Sequence, residues 1–211
     1  MERKRPFRLE TCFKLGLFGN ICFVAFIIIC LIYYYTFSPS GTFRLGFDIA
    51  AYIVEFAGFG LMALAIAGIC CIVRQRGLMK TLLSVYVCVE VFLMLLDFDF
   101  IHLDIYNGRS NLLIILHAIF SALVGFSFLS LDPKRTRLEM LVGIAVSMIL
   151  AGMFSAVLNL RVYGSILMNA FAYIFFFASL RYYYNREEIE IDCYGDRAKV
   201  QEYKSTFFKD E

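Results

Sequence analysis

The chain has 211 residues, of which 61% are hydrophobic and 18% charged, with 23 Phe, 13 Tyr and no Trp. A water-soluble domain rarely has more than half of its residues apolar, and a net charge of +2 gives no basic excess of the kind that nucleic-acid binding needs. Composition therefore excludes an ordinary soluble domain and favours a protein whose main solvent is lipid.

Six long apolar runs follow one another along the chain, separated by short polar segments. Crossing ~30 Å of hydrocarbon takes ~20 residues of helix at ~1.5 Å per residue, and each run approaches or exceeds that length. Pro6, Pro39 and Pro133 lie at or beyond the edges of the runs, where they leave helix interiors intact. The sequence predicts an all-α polytopic bundle of six transmembrane helices, over 15–36, 49–73, 81–97, 112–131, 138–160 and 162–181.

The first run follows the basic stretch MERKRPFR, as the apolar region of a signal peptide does. The run is too long for that region and ends in IYYYTFSPSG without a small-x-small cleavage site. We therefore expect a first helix that is retained.

Basic residues orient the predicted bundle. With a cytoplasmic N-terminus, all of the 20 Lys and Arg residues fall on the cytoplasmic side except Arg44, Arg109 and Arg161, and Lys and Arg resist translocation. Both termini are therefore expected in the cytoplasm, in a membrane that the sequence does not identify. The predicted parts are a basic N-terminus (1–14), a transmembrane domain (15–181) and a polar tail (182–211).

Carboxylates end the third run in the segment DFDFIHLD, residues 97–104. Lipid does not tolerate this density of charge, so the helix must leave the hydrocarbon there. A calcium loop needs oxygen ligands at alternate positions and a glycine turn, whereas bulky apolar residues fill the gaps here. Zinc needs three or four converging ligands, and the segment has one histidine. We expect a solvated acidic loop and no metal site.

Enzyme chemistry is not indicated. The chain lacks H-E-x-x-H, G-x-S-x-G and glycine-rich phosphate loops. Two histidines, His102 and His117, are too few for a haem held between facing helices, and the acids inside the predicted spans are glutamates rather than paired aspartates. The expectation is a protein with no enzymatic activity and no cofactor.

Four polar residues on four predicted helices share one predicted depth. Glu55 and Glu90 each lie seven residues inward from an aspartate at the outer surface, or ~10 Å along a helix, and His117 and Asn169 lie at similar distances inside their runs. Neighbouring glutamates share a proton, which a histidine could supply or accept. The hypothesis is a proton- or cation-responsive site; the alternative is that these side chains only hydrogen-bond to neighbouring helices.

Rows of small residues mark the helix faces that make close contacts in membranes. On the second helix, Ala51, Gly58 and Ala65 recur every seven residues and indicate that Glu55 faces a neighbour. The longest row lies on the fifth helix, with four-residue spacing, and predicts a helix-packing seam, with a solute path as the alternative: Gly143, Ser147, Ala151, Ser155 and Asn159.

None of the seven cysteines falls in a predicted outer loop, so no disulfide framework is expected. Cys12, Cys70 and Cys71 lie near the cytoplasmic membrane surface, where cysteines can be palmitoylated. The alternative is that they are small buried side chains.

The tail beyond Arg181 has too few apolar residues for a core of its own, so we expect a flexible segment or a short surface helix. Its alternative role is to dock cytosolic partners through Tyr194, Tyr203 or the pair Phe207–Phe208.

Two functions remain after these exclusions. The first is a multi-pass interaction, scaffold or trafficking protein of the lipid bilayer, which binds partner membrane proteins or forms a homo-oligomer. The alternative is a small carrier or channel component that uses the polar layer. Anionic lipid suffices as the partner of the basic segments, and no nucleic acid is expected.

Overall fold

The computed structural model describes residues 8–36, 42–73, 77–97, 109–131, 136–159, 162–189, 191 and 193. These residues are all-α: no strand occurs among them, and an isolated antiparallel bridge pairs Val73 with Cys193. A 3-10 turn, Phe128–Ser130, extends the fourth helix. The helices are α1 (Leu9–Thr36), α2 (Thr42–Ile72), α3 (Gly77–Asp97), α4 (Arg109–Ser127), α5 (Thr136–Asn159) and α6 (Val162–Asn185).

Several helices extend beyond the predicted apolar runs. Helix α1 begins at Leu9 rather than 15, α2 begins at Thr42 rather than 49, and α6 ends at Asn185 rather than 181. Backbone hydrogen bonding continues past the last apolar residue, and polar side chains support these ends. An example is the Lys14–Glu10 ion pair in the first turns of α1, at 3.0 Å.

The six helices form a closed ring in chain order. Each helix packs against the next, α6 packs back against α1, and α4 also contacts α6 across the ring. Among helices consecutive in the chain, packing is most extensive between α1 and α2 and sparsest between α2 and α3. We call the end of the ring that carries Leu9, Val73 and Asn185 the inner end, and the opposite end the outer end.

Four helices are long and apolar enough to cross a membrane: Leu9–Ile32, Ile49–Ile72, Arg137–Leu158 and Gly164–Asn185. The described parts of α3 and α4 contain shorter apolar stretches. Less than half of each long span is buried inside the protein. Large apolar side chains face outward instead, with Ile53, Phe154 and Leu158 exposed by 64%, 60% and 80%. Since a water-soluble bundle buries such side chains, these helices indicate a membrane protein with lipid around it.

Glycines bring α1 close to both of its neighbours. A Cβ at Gly19 would lie 2.8 Å from the carbonyl oxygen of Gly58 on α2, and a Cβ at Gly58 would lie 2.9 Å from the carbonyl oxygen of Gly19. A Cβ at Gly16 would lie 2.6 Å from the ring of Phe177 on α6. These contacts are the close approaches that small residues permit in membranes, and the buried row Ala51, Gly58 and Ala65 forms one of them.

The densest part of the core lies in the inner half of the ring. Phe128 packs against Phe176 and Phe177 of α6, with ring centroids 4.8 and 5.8 Å away. Phe13 of α1 meets Tyr184 edge-on at 5.6 Å. Such pairs contribute ~0.5–1.5 kcal/mol each beyond their buried area, so they stabilise the inner half of the ring.

Candidate functional site

A buried hydrogen bond joins α4 and α6. The Tyr173 hydroxyl donates to the backbone carbonyl oxygen of Ser121. Farther inward, Phe128 meets Phe176, so the two helices run in the same direction side by side. One turn outward from the Tyr173 bond lie His117 on α4 and Asn169 on α6. The two contacts pair residues 52 and 48 positions apart in sequence, so they place His117 and Asn169 in the same outer half of the ring, within about one helical turn of each other.

Two neighbouring polar residues of α6 lack hydrogen-bond partners. Asn169 is buried, and neither its amide nitrogen nor its amide oxygen has a partner in the described part of the chain. Ser165, one turn outward on the same face, is buried too, and its hydroxyl has none there either. Buried polar groups are nearly always hydrogen-bonded, and each unsatisfied group costs about 1–3 kcal/mol. Sequence reasoning missed Ser165, although its four-residue spacing from Asn169 was visible.

Glu55 lies on the buried face of α2, and its side chain is half-buried. One turn outward from it, Ala51 belongs to a small apolar cluster with Phe26 of α1, against which Leu167 of α6 packs. This cluster joins the outer parts of α1, α2 and α6, and a common depth of Glu55 and Asn169 stays a prediction.

The remaining members of the predicted layer are less fully described. The His117 side chain is half-buried on α4. Glu90 belongs to α3, and its side chain lies outside the described residues. The structure thus places Glu55, His117 and Asn169 in the outer halves of their helices, and their shared depth and the convergence of their side chains stay predictions.

The small-residue row of α5 faces away from the ring. Gly143, Ser147, Ala151 and Ser155 are all exposed, and the side chain of Asn159 lies outside the described residues. Helix α5 packs instead through an adjacent face that includes Leu141, Ala145 and Ile149. The row is therefore not a seam between described helices of this chain. A seam with another chain stays a prediction.

The polar group at Ser147 is satisfied within α5 itself. The Ser147 hydroxyl donates to the backbone carbonyl oxygen of Gly143 at 2.7 Å. A Cβ added at Gly143 would meet no atom within 4 Å, unlike one added at Gly152, which would lie 2.5 Å from Met168 on α6. We call Gly143, Ser147, Ala151 and Ser155 the α5 outer row.

A turn at the end of α6 directs the chain back across the inner end. Glu187 has a φ of 58°, in the left-handed region. Its backbone N–H donates to the carbonyl of Tyr184 at 3.1 Å, and the N–H of Glu188 donates to the carbonyl of Tyr183 at 3.0 Å. This hydrogen-bond pair is a Schellman motif, in which glycine is the usual left-handed residue. A glutamate there is held in place by the packing that follows it.

That packing involves residues 186–189, 191 and 193, which we call the docked segment. Ile189, Ile191 and Cys193 are buried in the main core, and Cys193 pairs with Val73 at the end of α2. The expectation of a flexible or surface-helical tail is wrong up to Cys193. The three buried residues are two positions apart in sequence, and the alternating apolar pattern of EIEIDC was the signal in the sequence that could have indicated an extended, half-buried segment.

Ion pairs also join the inner end. Arg137 at the start of α5 lies 3.7 Å from Glu188 of the docked segment. Arg181 of α6 lies 3.2 Å from Glu10 of α1, which also pairs with Lys14. These side chains are about a third to a half exposed, so each pair stabilises the fold only weakly.

The other sequence-predicted sites are partly described. All seven cysteines are free thiols. Cys12 and Cys70 are buried, whereas Cys71 is exposed and keeps the predicted lipidation site accessible. Within the described residues no group of three or more His, Cys, Asp or Glu could hold a metal ion. The acidic loop after Asp97 and the tail after Cys193 lie outside the described residues.

Comparison of the chain with protein-family models, with curated proteins and with solved structures finds no match. The residues and geometry above are therefore the basis for the function proposed below.

Proposed function

We propose that the protein is a multi-pass membrane interaction protein whose α5 outer row binds a second copy of the chain. The bundle has six spans in this proposal, with both termini on the cytoplasmic side. The observation that carries the proposal is the outward position of Gly143, Ser147, Ala151 and Ser155 on a helix suited to cross a membrane. No described helix of the chain covers this row.

The physical argument concerns what a lipid-facing row of small residues does. Lipid tails are as apolar as leucine, so helices associate in membranes through close packing rather than through apolar burial. Glycine in a helix interior costs ~1 kcal/mol relative to alanine. At Gly19 and Gly58 a backbone contact within the chain requires the missing side chain, whereas at Gly143 no such contact exists in the described chain. A partner helix across the α5 outer row supplies one.

A second copy fits this row because of symmetry. Copies inserted in one membrane have the same orientation, so their α5 helices run parallel. A two-fold axis between them sets each small residue of the row against the same row of the other copy. Small residues spaced four apart are the usual self-complementary surface of parallel membrane helices.

The experiment counts subunits in lipid. The tagged chain is reconstituted at low density in vesicles, and photobleaching steps are counted for wild type, Gly143→Ile and the matched control Gly60→Ile. Gly60 is a helical glycine of α2 that also has open space around it. We expect two steps for wild type and Gly60→Ile and mostly one for Gly143→Ile. One step for all three, or two for all three, contradicts the proposal.

A second candidate function is a proton- or cation-responsive carrier that uses Glu55, Glu90, His117 and Asn169. The positions of Glu55, His117 and Asn169 in the outer halves of their helices favour it, as does the Asn169 amide, which has no hydrogen-bond partner among the described residues. Glu55→Gln with Glu90→Gln should then abolish pH-driven flux in proteoliposomes, while the control Glu139→Gln, exposed on α5, retains it. Equal flux in all variants and in empty vesicles rejects the carrier.

The tail supports a further part of the proposal, the binding of a cytosolic partner. Because residues up to Cys193 pack into the core, removal of residues 185–211 also removes part of the fold. Deletion of 194–211 is the cleaner experiment. We expect the shortened chain to keep its thermal stability and to lose its cellular location, and an unchanged location rejects a docking role.

A further inference from the structure

Ser165 and Asn169 of α6 form a pair of buried polar side chains whose hydrogen-bonding groups have no partner among the described residues. They lie four residues apart, so they occupy the same helix face, ~6 Å apart along the axis. The unpartnered atoms are the Ser165 Oγ and the Asn169 Nδ2 and Oδ1. Polar atoms on adjacent turns of one face can bind one small molecule together.

This face points into the ring rather than toward lipid. Toward the outer end, α5 packs closely on α6, because the Cα of Ser165 lies only 3.6 Å from the position that a Cβ at Gly152 would occupy. Toward the inner end, the Tyr173 hydroxyl donates its hydrogen bond to the Ser121 carbonyl of α4. Asn169 lies between these two contacts along α6 and is 5% exposed, so its side chain is enclosed by protein.

The chemistry of the pair defines its ligand. A hydroxyl both donates and accepts, and a carboxamide offers two donor hydrogens and an acceptor oxygen. Neither side chain carries a charge, so the pair has no means to neutralise an ion in a low-dielectric interior. A neutral molecule with both a donor and an acceptor matches all three atoms.

We infer that Ser165 and Asn169 bind a small neutral hydrogen-bonding molecule, either water or a solute that presents a hydroxyl or amide group. Buried waters in proteins typically make about three hydrogen bonds to polar groups that would otherwise be unsatisfied. The inference does not depend on the α5 outer row, which lies on another helix and faces outward. An experiment that rejects binding at Ser165 and Asn169 would therefore leave self-association untouched, and the reverse also holds.

The test rests on the sign of a stability change. If a bound molecule satisfies these atoms, Ser165→Ala and Asn169→Leu each remove hydrogen bonds, and the Tm of the purified protein falls by roughly 3–8 °C. If the atoms have no ligand, each variant removes an unsatisfied group and the Tm rises. Ser165→Ala adds no atoms, so it remains informative if leucine does not fit at 169.

Two further measurements identify the ligand. An experimental structure at high resolution should contain density within ~3 Å of the Asn169 amide atoms. Glycerol, a neutral hydroxylated probe, should widen the Tm difference between wild type and Asn169→Leu if the site takes solutes, and should leave it constant if the site holds only water. A rise in Tm for Ser165→Ala, with no density beside Asn169, overturns the inference.

Discussion

The inner and outer halves of the ring are stabilised in different ways. At the inner end, buried aromatic rings, the docked segment and ion pairs join α1, α2, α5 and α6. In the outer half, the main core continues through small side chains such as Ala118 and Ala156, and Ser165 and Asn169 have polar atoms with no partner among the described residues. The contrast teaches that the fold is anchored at the inner end, while the outer half contains the groups that are free to bind something else.

The largest expected effect comes from the contact between α1 and α2. Gly19→Val sets side-chain atoms against the backbone of Gly58 and Met62, so the helices must separate. We expect a loss of about 3 kcal/mol, or a Tm lower by roughly 6–12 °C in detergent. The matched control is Gly60→Ala, which meets open space and should leave the Tm unchanged or slightly higher. Equal effects of the two changes would mean that α1 and α2 are not in close contact.

A smaller effect is expected at the docked segment. Ile189→Ala leaves a cavity in the inner core, and the segment can detach rather than unfold the ring. We expect a loss of about 2 kcal/mol and faster proteolysis beyond Asn185. Leu158→Ala, an equivalent truncation at a highly exposed position, serves as the control and should change the Tm little. Wild-type protease resistance of Ile189→Ala would show that the segment does not anchor the inner end.

The smallest expected change in stability is an increase. Glu187→Gly relieves a left-handed residue at the Schellman turn, so the free energy of unfolding should increase by up to about 1 kcal/mol and the Tm by ~2–4 °C. Glu187→Gln keeps the strained backbone while it removes the charge, and it should behave as wild type. If glycine lowers the Tm, the turn does not have this geometry.

Helix positions were the most predictable part of the molecule. Each of the six apolar runs corresponds to a helix, because long uninterrupted apolar stretches without interior proline have few other structures available in lipid. The helix ends were less predictable. Polar and aromatic residues after 181, such as Tyr183 and Tyr184, continue α6 because the turn at Glu187 and the docked segment hold its end in place.

The use of small-residue rows could not be predicted from spacing. The rows of α2 and α5 look alike in sequence, yet Gly58 contacts α1 and Gly143 contacts no other helix of the described chain. Spacing defines a face, but the neighbours of that face depend on the whole ring. The same limit applies to Asn169, because its position in the sequence did not show that its amide has no hydrogen-bond partner among the described residues.

Disulfide cross-linking at the α5 outer row is the most direct measurement of the central claim. The substitution Ala151→Cys puts a thiol within the row. The variant is made in a background in which the exposed Cys71 and Cys88 are changed to Ser, and it is measured in lipid nanodiscs. Two parallel helices in close contact bring such thiols within the ~4.4–6.8 Å Cα separation that a disulfide needs. The account predicts rapid formation of a covalent dimer for Ala151→Cys and none for Phe171→Cys on the exposed face of α6. Monomers for both variants, or equal dimer formation in both, would contradict it.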